Sequence, residues 1–138
     1  MSDFVLDASL ALQWFLQDEG DREYALSVLA GMSDNRAIVP MLWFYEVGNG
    51  LLMAYRRKRI SHGQIDDFLR RLAALGIEVA HQTPSDLLRL PTLGRLHNLT
   101  SYDAAYLAIA IGFHSPIATT DSALRKAAAA ANVQILSA

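Results

Sequence analysis

The chain contains no cysteine, which excludes disulfides and thiolate metal sites and agrees with a reducing, cytoplasmic location. Its four histidines, His62, His81, His97 and His114, lie at least sixteen residues apart. No local histidine pair with zinc-ligand spacing therefore exists. No glycine occurs between positions 8 and 13, just after the first apolar run, so the G-x-G-x-x-G turn of a dinucleotide-binding fold is absent where it would be needed. Position 9 is serine rather than the second acid expected of an aspartyl-phosphate phosphatase. No Pro-, Gly- or Ser-rich stretch marks a linker and no repeat is present, so the 138 residues read as one domain, 1–138. No basic segment precedes an apolar stretch at the N-terminus, and no signal peptide is expected.

The net charge is -2, without the strongly basic balance of a general nucleic-acid binder. The charges are unevenly placed. Residues 1–35 carry seven acids and one base, whereas residues 36–71 carry seven bases and three acids. A basic middle segment on an acidic chain allows a local polyanion contact.

What the chain has in quantity is apolar sequence, at 52% of its residues. Residues 37–55 hold a single charge, Glu46. The length suits a membrane span and Arg56-Arg57-Lys58-Arg59 follows, but Pro40, Glu46, Asn49 and two glycines argue against one. An ionised carboxylate in an apolar helix needs a partner. A distant base, a bound cation, or a proton held by a raised pKa would each serve. In the metal-free protein Glu46 is therefore expected to titrate above about 4.3.

The remaining pattern alternates short apolar strands with helices. Strands are expected at 4–6, 37–39, 77–79, 116–118 and 133–135. Helices are expected from Ser9 to Leu16, after Asp21, from about Met41 to Arg59, after Ser61, after Thr83 with a break at Pro91, from Thr100 to about Phe113, and after Asp121. Asp18-Glu19-Gly20 reads as a loop, and Gly76 as a helix C-terminal cap. Such alternation predicts an α/β fold with a parallel sheet of about five strands between layers of helices. Sites in these sheets lie beyond the carboxyl ends of the strands.

That rule singles out Asp7, Glu46, Asp103 and Asp121. Each of three has a local alternative: Asp7 and Asp121 as N-caps, Asp103 as the acid of a capping box, and Asp121 also as the partner of Arg125. Taken together, converging carboxylates without an interleaved lysine require a cation, and oxygen ligands at an open site suit Mg²⁺ or Mn²⁺. On the Glu46 helix, Asn49, Gly50 and Met53 share the acid's face. Arg57 follows on it roughly 16 Å along the axis, a candidate phosphate contact at the cleft rim. Gly50 would let another element approach closely. Trp14, Trp43, Phe44 and Tyr45 read as core or dimer surface.

Four blocks carry a resemblance: V-L-D-A-S, P-x-L-W-x-x-E-V-x-N-G-L, L-T-S-Y-D-A-A-Y-L-A-I-A and A-T-T-D-S-A-L-R. In this order and spacing they resemble the PIN domain, more narrowly the VapC-type toxins of prokaryotic toxin–antitoxin pairs. The resemblance implies a three-layer α/β/α fold and Mg²⁺- or Mn²⁺-dependent cleavage of RNA by a homodimer held in check by a small VapB-like antitoxin. It also implies that Asp7, Glu46, Asp103 and Asp121 form the acidic site, supported by Ser9, Asn49 and Thr120. A cation-activated water would then hydrolyse the phosphodiester, with Ser9 orienting Asp7 and not acting as a nucleophile. The alternative is an inactive PIN scaffold that binds a protein or RNA partner. Nucleases of structured DNA flaps share the broader fold family, but this chain is short and shows no extra arch.

Overall fold

Phe4, Val5 and Leu6 are buried without exception, as an apolar run flanked on both faces requires. They belong to β1 (Ser2–Leu6), the central strand of a computed structural model that describes residues 2–16 and 21–137. The loop expected at Asp18-Glu19-Gly20 lies outside the described residues. β1 is followed by α1 (Ala8–Gln13), α2 (Arg22–Gly31), β2 (Asn35–Val39) and α3 (Leu42–Arg56). Then come α4 (His62–Ala74), β3 (Glu78–Val79), α5 (Pro84–Leu88), α6 (Leu90–His97), α7 (Ser101–Phe113), β4 (Ile117–Ala118) and α8 (Ser122–Ala130).

All strand pairs are parallel, in the order β3-β2-β1-β4. Val5 is the pivot, pairing with Ile38 on one side and Ile117 on the other. The expected strand at 133–135 reduces to one bridge, Ile135 with Ile117, because only two backbone hydrogen bonds hold this segment against β4. The order of the sheet has a direct consequence. The chain leaves β1 toward β2 on one side, and β4 later fills the other side. The carboxyl ends of β1 and β4 thus flank a topological switch point, where α/β sheets place their ligands.

The helices start where their caps dictate. Asp7, Asp21, Ser61, Thr83, Thr100 and Asp121 each accept a backbone N–H from the first turn of the helix they open. Ser61 with Gln64 and Thr83 with Asp86 complete capping boxes. Gly76 takes φ +67 just past α4, the left-handed turn that glycine makes without a Cβ penalty.

Three helix boundaries differ from expectation, the first being α1, which ends at Gln13 and not at Leu16. α3 stops at Arg56, short of Arg59, because Lys58 turns left-handed (φ 61) and its neighbours close a Schellman motif, Arg59 N–H on Ala54 O and Lys58 N–H on Tyr55 O. The break expected at Pro91 comes at Arg89 instead. Pro91 falls in the first turn of α6, where the missing N–H would have no intrahelical partner anyway.

Trp14 and Trp43 are core residues, and the Trp14 indole donates to Ala25 O at 2.8 Å, tying α1 to α2. Phe44 and Tyr45 are exposed. α3 and α1 pack at unusually short range: a Cβ on Gly50 would lie 2.5 Å from Leu12 Cδ1. No described helix is long and apolar enough to cross a membrane.

Candidate active site

Asp7 is the first residue beyond β1 and is almost fully buried. Its Oδ2 accepts two hydroxyl hydrogen bonds, from Ser9 Oγ at 2.7 Å and Thr119 Oγ1 at 2.6 Å. Its Oδ1 has only the Ser9 N–H at 3.4 Å. One carboxylate oxygen is anchored by the protein; the other is nearly free.

Thr119 sits at the end of β4 with no exposed surface. Its hydroxyl accepts the Asp121 N–H at 3.0 Å while donating to Asp7. The proton direction is thus fixed, and the backbone of one acid is linked to the side chain of another. Asp121 caps α8 through Oδ2, 2.8 Å from Leu124 N. Arg125 does not neutralise it: Arg125 Nε donates to Thr119 O at 2.7 Å and the guanidinium lies over the Tyr24 ring. Thr120, the threonine singled out by the sequence, faces elsewhere, accepting from Gln13 Nε2 at 2.9 Å. The residue the sequence reading missed is its neighbour Thr119. In an apolar strand end a threonine reads as strand former, and nothing local shows which of two adjacent threonines turns inward.

Glu46 is half-buried in the second turn of α3. Its partner is not a base. Tyr106 on α7 donates its phenol O–H to Glu46 Oε1 at 2.6 Å. Burial raises the Glu46 pKa, the Tyr106 hydrogen bond opposes that, and the charge of Asp7 raises it further. Tyr106 was also missed, since a tyrosine in an apolar helix reads simply as core.

Asp103 lies in the first turn of α7. Its backbone N–H is capped by Thr100 Oγ1 at 3.1 Å. Its carboxylate makes no return bond, so the capping-box alternative accounts for its N–H and not for its acid. Burial pushes the Asp103 pKa up to about 6, aided by the negative charges of Asp7, Asp121 and Glu46 in that order. Asp103 thus feels the charges of all three other acids. Asn49 is exposed and makes no side-chain hydrogen bond among the described residues, and Arg57, at the far end of α3, is not brought to the acids.

As the side chains stand, no group of three or more His, Asp or Glu residues among the described residues is arranged to hold a metal ion. What the site does present is carboxylate oxygen without a hydrogen-bond partner among the described residues: Glu46 Oε2, Asp121 Oδ1 and both oxygens of Asp103, beside the weakly held Asp7 Oδ1. Burial, reinforced by the charges of the other three acids, is what favours the protonated form of Asp103. Hard oxygen donors in an open, negatively charged site fit an ion that retains part of its water.

The fold is similar to that of PAE2754 from Pyrobaculum aerophilum, with TM-score 0.71 and 20% identity over 91% of this chain and 84% of that one. No curated protein sequence matches the chain. The PIN domain model matches residues 4–130, nearly the whole length. With that match, the chain belongs to the PIN domain family, whose members are in general nucleases that use divalent metal ions.

Proposed function

We propose that this chain is a Mg²⁺- or Mn²⁺-dependent endoribonuclease, the toxin of a type II toxin–antitoxin pair. The observation that supports the nuclease reading is that Asp7 and Asp121 are linked through Thr119 at the switch point of the sheet, with Asp103 and Glu46 close enough to repel them and no base paired with any of the four among the described residues. The toxin role rests on the four sequence blocks and their resemblance to VapC-type proteins.

Asp7, Glu46, Asp103 and Asp121 would hold the ion. When bound, it makes hydroxide available from water near neutral pH and offsets charge on the phosphoryl oxygens. In the hydrolysis the water oxygen bonds to phosphorus, the P–O3′ bond breaks, and the leaving oxygen takes a proton. One of these carboxylates would also take the water's proton. Ser9 and Thr119 fix Asp7 through one oxygen and keep the other turned outward. Arg57, with the neighbouring basic residues at the end of α3, supplies a contact for the substrate's phosphates along the helix. Met41, Tyr45, Leu87 and Tyr102, all exposed, line an apolar cleft of about 580 Å³. Exposed apolar area of this kind supports a second copy as partner, and a basic group from a VapB-like antitoxin would satisfy the acidic site.

The test incubates purified, antitoxin-free protein with total RNA in Mg²⁺ or Mn²⁺, with and without EDTA, beside a Glu46→Gln variant. Discrete cleavage abolished by EDTA and by the substitution is expected. Cleavage that survives both would sink the reading.

A further inference from the structure

α7 is nearly uniform in its apolar character, and in its buried stretch from Ala104 to Ala110 a single residue carries a polar atom: Tyr106. Phenylalanine would fill the same volume. A phenol with no exposed surface must find a partner for its O–H. The partner here is Glu46 Oε1 on α3, sixty residues away in sequence, at 2.6 Å. One hydroxyl group thus ties α7 to α3, while its own helix carries Asp103 one turn earlier on the same face.

From these contacts we propose that Tyr106 is the positioning residue of the acidic site. Its phenol holds Glu46 by Oε1 in one side-chain conformation and leaves Oε2 as the oxygen open to a ligand. The same arrangement recurs at Asp7, anchored through Oδ2 and open at Oδ1. Both carboxylates would therefore approach a cation through one oxygen each. A half-buried glutamate without this anchor has three rotatable side-chain bonds and no fixed direction. Metal sites depend on such outer contacts to orient their ligands, and losing one typically weakens affinity by about 10- to 100-fold.

The ligand part of this inference rests on the metal-dependent reading; the conformational part does not. Tyr106→Phe removes one oxygen and no carbon, so a role confined to core packing predicts no change at Glu46. In metal-free wild-type protein, three-bond NMR couplings of Glu46 should report a single rotamer, and in Tyr106→Phe they should report averaging. Averaging already in the wild type, a measurement that needs no variant, would overturn the proposal. So would a single rotamer in both proteins. Calorimetric titration with Mn²⁺ should show affinity about 10- to 100-fold weaker in Tyr106→Phe. The same substitution made in Glu46→Gln protein should then change little further. Unchanged Mn²⁺ affinity in Tyr106→Phe, or an equal loss in both backgrounds, would count against Glu46 as the route. If the wild-type protein cleaves no RNA while the rotamer response appears, the nuclease reading fails and the positioning role stands.

Discussion

Thr119 and Thr120 are adjacent, similarly sized, and opposite in consequence. Thr119 is buried with its hydroxyl shared between Asp7 and the Asp121 N–H, whereas Thr120 binds only the Gln13 side chain. Removing the Thr119 hydroxyl strips Asp7 of a charge-assisted bond and leaves the Asp121 N–H without its acceptor. Thr119→Val keeps the shape, so its cost is almost wholly this lost polar pairing, about 1–3 kcal/mol. Denaturant unfolding should show that loss for Thr119→Val, recovery in Thr119→Ser, and a smaller effect for Thr120→Val. Cleavage should fall with Thr119→Val as well, since the Asp7 carboxylate would keep only its Ser9 anchor.

Among the elements, the pair α1 and α3 sets the distance between two of the acids. α1 begins at Asp7 and α3 carries Glu46, and the two helices meet where Gly50 faces Leu12. Gly50→Ala gains about 1 kcal/mol of helix propensity. Against it stands a contact of 2.5 Å with Leu12 Cδ1, and overpacking of this sort costs about 1–3 kcal/mol. The expected result is a lower melting temperature together with a loss of kcat/KM, because Leu12 must leave its present conformation between α1 and α3 to relieve the clash. Leu12→Ala in the Gly50→Ala protein should restore part of both, a coupling that a double-mutant cycle measures.

For the molecule as a whole, the acidic site trades stability for ligand readiness. Asp103 and Glu46 both have pKa values raised on folding, Asp103 to about 6. A carboxyl raised in this way binds its proton more tightly when folded. It adds stability below its unfolded pKa and loses that contribution as pH climbs through the folded value. The metal-free protein should therefore grow less stable between about pH 4 and pH 7. On the proposed reading Mg²⁺ or Mn²⁺ would bind the deprotonated form, so the rise in melting temperature on adding either ion should be large above pH 7 and small below pH 5. Thermal melts across that range, with and without metal, check the sign directly. An ion-induced rise that is equal at both ends would contradict the coupling of the four acids.

The sequence by itself determined what acts within a turn or two of chain. The N-caps at Asp7, Ser61, Thr83, Thr100 and Asp121, the glycine turn at 76, and the alternation of strand and helix are all local, and they follow from residues spaced a few positions apart. The acids were legible for a related reason: a lone charge in an apolar stretch stands out without knowledge of its neighbours. Tertiary structure alone decided the rest. It placed β1 between β2 and β4, which brings residue 7 beside residues 119–121. It chose Tyr106 for Glu46 across 60 residues and Thr119 for Asp7 across 112. It left Arg57 at the far end of α3 and withheld Arg125 from Asp121. Hydrogen bonds between distant segments depend on which face each strand and helix buries, and no local spacing rule reaches that far.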